Sequence, residues 1–376
     1  LKMLDAQSER HQVIIDIYKQ GQTPVSVLAR LLGRGIIETW GYLINREDVG
    51  LRSCLGTQPE IDQALRKISE NKKSLTVDLI SLLTIHGINL ADKLVECYGK
   101  LNIARSSLDE ILDVLTIRKA FTSDGYLAAG KENGVYVKEE VTQEKLNENT
   151  EYLESIFKWA EKNCNIIPLR TPLSFNSQKK ELLIDMIGKS SLDTLGIAKQ
   201  QESILISDDY WLRAFAKTEF NIDGIWIQVL ISKAVDEGII SKVEYEKAVV
   251  KLACSNYRYT AISSDTLFEA AKQADWQPKG AFSKVASLLG GREADLHSSM
   301  IVVEDFIVKL YMDSIYLPTT QSLLLLTLQY AIPATLTEKT IKILINRLKR
   351  RLYFAPDRAK ELEAILRKWS GIRFYS

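Results

Sequence analysis

Four short apolar runs, each followed by a stretch of helical periodicity, restrict the centre of this chain to a parallel α/β sheet. The runs are residues 75–80 (Leu-Thr-Val-Asp-Leu-Ile), 100–104, 203–207 and 224–228. Brief blocks of Val, Ile and Leu between polar flanks suit strands buried on both faces. Intervening helices supply right-handed crossovers, which make neighbouring strands parallel. Residues 259–263 offer a further edge strand.

The flanks read differently. Residues 8–72 are helical with short breaks. In Pro24-Val-Ser-Val-Leu-Ala-Arg-Leu-Leu32 the apolar side chains recur at helical spacing, Gly33-Arg-Gly35 ends the run, and residues 36–44 resume a second amphipathic helix. Two helices around a glycine turn are either a hairpin packing its Leu and Trp40 face on a neighbour or a helix-turn-helix reading DNA. Hairpins of the first kind are far commoner. Residues 119–164 turn polar and look like an insertion, with a hairpin or loop near 135–140 and a helix around 153–162. Beyond about residue 265 strand signals fade. The expected organisation is a helical region over 1–72, an α/β core over 73–265 with the insertion at about 119–164, and a helical region over 266–376.

Composition narrows the chemistry. The net charge of +1 over 376 residues gives no general basic field, so any nucleic-acid contact must come from a local patch. The four cysteines (Cys54, Cys97, Cys164, Cys254) form no CxxC pair, which argues against a zinc site or a disulfide framework and suits a reducing cytoplasm. Residues 323–334 form the longest apolar stretch, too short and too polar to span a bilayer, and residues 1–12 hold no secretory core. A start at Leu1 hints at a fragment of something longer. Only three histidines are present (His11, His86, His297), so carboxylates must carry any catalysis.

Asp78 closes the first run, and Asp208 and Asp209 follow the third directly. Ligands of open parallel sheets bind beyond the carboxyl ends of the strands, so these residues are expected at one rim. Glu110, early in the helix after the second strand, can reach the same edge. Clustered carboxylates raise one another's pKa unless a cation joins them, and oxygen-only ligands suit Mg²⁺ or Mn²⁺. Such a cation can activate water and stabilise the leaving oxygen of a phosphodiester. Each residue also has a structural alternative. Asp78 can cap the next helix, although a charge inside Leu-Thr-Val-Asp-Leu-Ile-Ser-Leu-Leu is costly without a partner. Glu110 can complete a capping box with Ser107, Asp193 can do so with Ser190, and Asp208 and Asp209 can begin a helix.

At these residues the chain resembles the PIN-domain family of metal-dependent nucleases. Leu75-Thr-Val-Asp78 is similar to that family's first strand and its Asp. Ser106-Ser-Leu-Asp-Glu110 resembles the helix that presents a Glu, and Ile204-Leu-Ile-Ser-Asp-Asp209, running into Tyr210-Trp-Leu-Arg213, resembles the final strand and acidic loop. The resemblance implies a PIN-like parallel sheet flanked by helices. It also implies Asp78, Glu110, Asp208 and Asp209 as catalytic metal ligands, with an Mg²⁺- or Mn²⁺-dependent cut in RNA, or less often DNA. Family members place another Asp about a helix's length before the last strand. Asp193 is the nearest candidate and stands a little close to Asp209, so its role as a ligand stays open. Ala29-Arg-Leu-Leu-Gly-Arg34, Trp40 and Gly56-Thr-Gln-Pro-Glu60 extend the likeness over roughly residues 15–265. They point to large bacterial proteins in which a PIN-like domain follows tetratricopeptide repeats and a transcript-cleavage-factor-like module.

From Lys339 to Arg373 there are eleven Lys or Arg against three Asp or Glu, with Tyr353, Phe354 and Trp369 close by. Such a segment can track a phosphate backbone and stack on bases, or it can be a solvated helix face over the Ile341, Leu344, Ile345 and Leu348 stripe. Three functions are therefore expected in descending order. They are a cytoplasmic metal-dependent nuclease, a catalytically inactive PIN-like scaffold or nucleic-acid-binding module, and a DNA-binding regulator built on residues 24–44. The helical flanks are expected to meet protein partners or the rest of a longer chain.

Overall fold

The computed structural model describes residues 2–21, 23–70, 74–120, 126–132, 135–169, 177–290, 295–312 and 317–375. They form two compact units, Leu1–Ile240 with Asn256–Arg258, and Ser241–Ser255 with Tyr259–Ser376.

The first unit opens with helices α1 (Lys2–Lys19), α2 (Val25–Leu32) and α3 (Ile36–Ile44). Gly33 ends α2 in the left-handed conformation (φ +66°), with its amide bonded back to the helix, as the glycine signal predicts. Then come β1 (Leu51–Arg52), α4 (Gln58–Glu70), β2 (Leu75–Val77), α5 (Leu79–Gly87), α6 (Ala91–Tyr98), β3 (Leu101–Ala104) and α7 (Arg105–Ala120). The polar insertion is an antiparallel hairpin, β4 (Tyr126–Glu132) with β5 (Val135–Val141), followed by α8 (Gln143–Asn163). The unit continues with β6 (Cys164–Ile167), α9 (Ser177–Ile187), α10 (Lys189–Gln200), β7 (Ile204–Ile206), α11 (Tyr210–Phe220), β8 (Gly224–Ile225), α12 (Ile227–Asp236) and β9 (Tyr257–Arg258), which pairs with β1.

The central sheet has the order β6-β3-β2-β7-β8 and is parallel throughout, with Val77 opposite both Ile103 and Ile206. Every residue of β2, β3 and β7 is buried, which is why these strands read as continuous apolar runs. The chain leaves β2 toward β3 and β6, then returns to β7 and β8 on the opposite side. Strand order therefore reverses between β2 and β7, and that switch point is where an open α/β sheet offers its crevice. Helix α10 lies across β2, β3 and β7. Leu192, Leu195 and Ala198 from it join Leu205, Leu212, Ala216 and Phe220 in one buried cluster.

Three local expectations change. The first run is a strand only to Val77, because the Asp78 carboxylate accepts the Ser81 amide and starts α5 at Leu79. The fourth gives a strand only at Gly224–Ile225, and α12 begins at Ile227. The edge strand expected at 259–263 falls instead at Tyr257–Arg258, pairing with β1 outside the main sheet, and Tyr259 at φ +62° bends the chain away. Beside this pairing, Gly50 sits at φ +68°, and a β-carbon there would meet the Asn256 carbonyl at 2.6 Å. Gly50→Ala is expected to destabilise the unit by about 2 kcal/mol or more, read from denaturant midpoints. An unchanged midpoint would show that β1 and β9 separate freely. Strand β6 gave no clear signal, since it directly follows a polar helix and is only partly buried.

The second unit is helical: α13 (Lys242–Cys254), α14 (Ser264–Gln273), α15 (Ala281–Ser287), α16 (Leu296–Met312), α17 (Leu317–Ala331), α18 (Thr337–Arg351) and α19 (Pro356–Tyr375). Leu323, Leu324 and Leu328 of the long apolar stretch pack into its core with Phe282 and Phe306. Among the described residues no helix is long and apolar enough to cross a membrane.

Candidate functional site

Two elements of the switch point deliver acidic side chains. Asp78 leaves β2 and is 3% exposed; its Oδ1 accepts the Ser81 amide at 2.7 Å and its Oδ2 accepts the Ser207 hydroxyl at 2.5 Å. Asp209 follows β7 and is also 3% exposed. Its Oδ1 accepts the Trp211 and Leu212 amides at 3.0 and 3.2 Å, which caps α11. Its Oδ2 accepts the Val25 amide of α2 at 2.6 Å, across 184 residues of chain. Both carboxylates line one cavity of about 10 Å³ with Ser26, Ile36, Leu79, Ile80, Ser190, Ser191 and Leu212, a space for about one water molecule.

Glu110 reaches the same wall indirectly. Its Oε1 accepts the Ser190 hydroxyl at 2.5 Å, and Ser190 lines the cavity. Asp208 is turned elsewhere. Its Oδ1 accepts the Ile227 amide at 2.9 Å and so holds the first turn of α12, while its backbone amide donates to Ser81 Oγ at 2.8 Å. The Asp208 Oδ2 is buried without a hydrogen-bond partner. Asp193 accepts the Ser106 hydroxyl at 2.7 Å and lines a separate depression with Arg105, Asp109 and Lys180. The structure thus brings Asp78 and Asp209 together, joins Glu110 through a serine, and leaves Asp208 and Asp193 facing other neighbours.

Burial dominates the electrostatics. It pushes Asp209 up to about 7 and Asp208 up to about 6, and it raises Asp78 and Glu110, with hydrogen-bond donors pulling each back only in part. The nearby Asp78 charge raises both neighbours further.

Several further residues shape this rim. Ser207 bridges Asp78 and the Asp209 amide. Arg213, buried, donates to the Ser207 carbonyl at 2.5 Å and the Ser53 carbonyl at 2.7 Å, and its guanidinium stands 5.1 Å from the Trp226 ring centroid. Both lie inside the quoted segment 204–213, so their position was visible and their bonding was not. Ser81 and Tyr257 carried no signal of their own, and Ser190 was legible only as a capping partner for Asp193.

In this arrangement the rim does not fit a metal ion. Among the described residues no group of three or more His, Cys, Asp or Glu side chains lies close enough to hold one. All four carboxylate oxygens of Asp78 and Asp209 already accept N–H or O–H donors.

A five-stranded parallel sheet with acidic residues at its switch point is the architecture of an open α/β domain and is consistent with a PIN-like fold. In agreement, residues 76–218 match the family model for the PIN domain associated with the TPR-GreAB-C-PIN system. That segment is a PIN-like domain. No curated protein and no solved structure matches the chain.

The basic tail is largely ion-paired. Arg347 bonds Glu304 at 2.6 Å, Lys349 bonds Glu363 at 2.7 Å, and Arg351 pairs with Asp305. Ile341, Leu344, Ile345 and Leu348 are buried. Tyr353 and Phe354 stand exposed at the turn into α19.

Proposed function

We propose that the 76–218 domain is a nuclease hydrolysing phosphodiester bonds in nucleic acid, RNA in preference to DNA, with Mg²⁺ or Mn²⁺ as its cation. The observation that carries this reading is the convergence of Asp78 and Asp209 on one cavity at the sheet's switch point, with Glu110 joined to its wall through Ser190. Acidic side chains buried together in this way repel, and a divalent cation is the ligand that relieves them. The RNA preference and the metal dependence rest on the PIN-family resemblance. No step through a metal follows from the closed arrangement. Four free cysteines agree with a cytoplasmic setting, and the helical flanks, where Val13 and Ile17 stand exposed on α1, would meet partners or the rest of a longer chain.

The test is cleavage of end-labelled single-stranded RNA by the full chain with Mn²⁺. Asp78→Asn should lower the rate by about 100-fold or more while the fold persists. The amide oxygen can still accept from Ser81, and its NH₂ can donate to Ser207 Oγ. An Asp78→Asn variant as active as its parent would remove Asp78 from the chemistry.

A second reading has one observation in its favour: Asp78, Asp208 and Asp209 each hold the first turn of a helix. A catalytically inactive PIN-like module could keep these acids as structural caps. It would bind RNA without cutting it, equally well with and without EDTA.

A further inference from the structure

Helix α18 turns into α19 through residues 352–355, and two aromatic side chains on that turn face solvent. Tyr353 is 80% exposed and Phe354 is 54% exposed. Their rings meet edge to face, with centroids 5.7 Å apart. A single exposed apolar side chain is ordinary, but two adjacent aromatics held out in this way forgo a large burial gain.

The turn that carries them is fixed. Leu352 is buried in the core of the second unit, and its amide donates to the Leu348 carbonyl at 2.8 Å. The Ala355 amide donates to the Leu352 carbonyl at 2.9 Å. The flanking cations divide into two sets. Lys349 bonds Glu363, and Arg351 pairs with Asp305 and Glu304, so these two fasten α18 to α19 and α16. Arg350 between them, and Arg358 in the first turn of α19, are exposed and have no ion-pair partner among the described residues. Ala355 has no side-chain acceptor to cap α19, whose positive end adds to the same field. Asp357 is the one acid of that first turn, and the exposed Lys360 stands 4.0 Å from it.

We propose that the α18–α19 turn is a contact for single-stranded nucleic acid, in which bases stack on Tyr353 and Phe354 while Arg350 and Arg358 meet the flanking phosphates. Every base has a flat face for such stacking, and cations beside the rings supply the attraction to the backbone. An apolar partner would need a wider surface than two rings. Among the described residues from 344 to 371 no large aliphatic side chain is exposed. The turn belongs to the second unit, outside residues 76–218, so the proposal stands apart from the chemistry of the acidic rim.

The test is the anisotropy of a fluorescein-labelled oligouridine titrated with the full chain in EDTA, where no metal-dependent cut can occur. Tyr353→Ala with Phe354→Ala is expected to weaken binding about tenfold or more. Arg350→Ala with Arg358→Ala should also weaken it, and should lower the slope of log affinity against log salt by about one to two. Tyr353→Phe with Phe354→Tyr keeps both rings and should bind as the parent does. Circular dichroism and urea midpoints matching the parent certify the fold, as expected for exposed positions. Ultraviolet crosslinks from bound uridine should fall on Tyr353 or Phe354 of the parent, and that readout decides if an alanine variant fails to fold. Equal affinity in the parent and the folded alanine variants, or crosslinks confined to other residues, would overturn the proposal. So would a parent that binds no oligouridine, including one that instead binds phosphatidylserine vesicles through the same two rings.

Discussion

Replacing Arg213 with alanine is expected to lower the stability of the first unit by about 3–5 kcal/mol. The guanidinium is buried. It donates to two backbone carbonyls, Ser207 at 2.5 Å and Ser53 at 2.7 Å, and stands 3.7 Å from Glu60. It also lies over the Tyr210 and Trp226 rings. Truncation strands both carbonyls and leaves the Glu60 carboxylate, itself raised by burial, without its cation. Arg213→Lys should recover part of the loss, because an ammonium supplies a charge without the planar fork that reaches both carbonyls. Arg213→Met separates packing from bonding, since it refills volume and donates nothing. Urea midpoints of the three variants measure the series. A methionine variant as stable as the parent would mean that Arg213 acts by bulk alone. Because the Ser207 carbonyl it holds belongs to the residue whose hydroxyl meets Asp78, the Arg213 substitutions should also disturb the rim.

The second large effect is on pH dependence. The Asp209 carboxyl titrates near 7 in the folded chain against an ordinary 3.8, with burial as the leading cause. A carboxyl whose folded pKa lies above its unfolded one binds its proton more tightly when folded. Its contribution is therefore greatest at acid pH and is lost as pH rises from about 4 through about 7. The loss is about 4 kcal/mol for a shift of this size. Asp208, at about 6, acts in the same direction. Denaturant midpoints of the full chain measured from pH 5 to pH 8 should fall, and Asp209→Asn, which cannot titrate, should flatten the slope. Parallel profiles for parent and variant would exclude Asp209 as the source. Mn²⁺ at pH 8 should restore part of the stability if the rim opens to a cation, since a ligand bound only by the folded chain stabilises it.

Particular residues show how far the sequence carried. The runs at 101–104 and 204–206 were legible as buried parallel strands because all of their side chains are apolar or buried by neighbours. Connectivity put Asp78 and Asp209 at one rim, since both follow parallel strands at the same end; that their side chains line one cavity came from the tertiary structure. The glycine stop at Gly33 was legible for a local reason, as few other residues adopt its backbone angles. The Asp208 side chain was not. It directly precedes Asp209 in the chain, yet the two serve different helices, and nothing local says which way each turns. Glu110 was expected at the rim, whereas Ser190, read in the sequence only as a capping partner for Asp193, turns out to bond Glu110.

By itself, the sequence determined the α/β class, the two helices around a glycine turn over 24–44 and the acids that end two central strands. Those follow from periodicity, turn residues and strand order, which are properties of neighbouring positions. Only the tertiary structure decided that the cavity is shut, that Asp208 faces α12, and that an amide at Val25 meets a carboxylate at Asp209. Hydrogen bonds across 184 residues depend on how folded elements come to rest against each other, and the burial that shifts these acids exists only once they have done so.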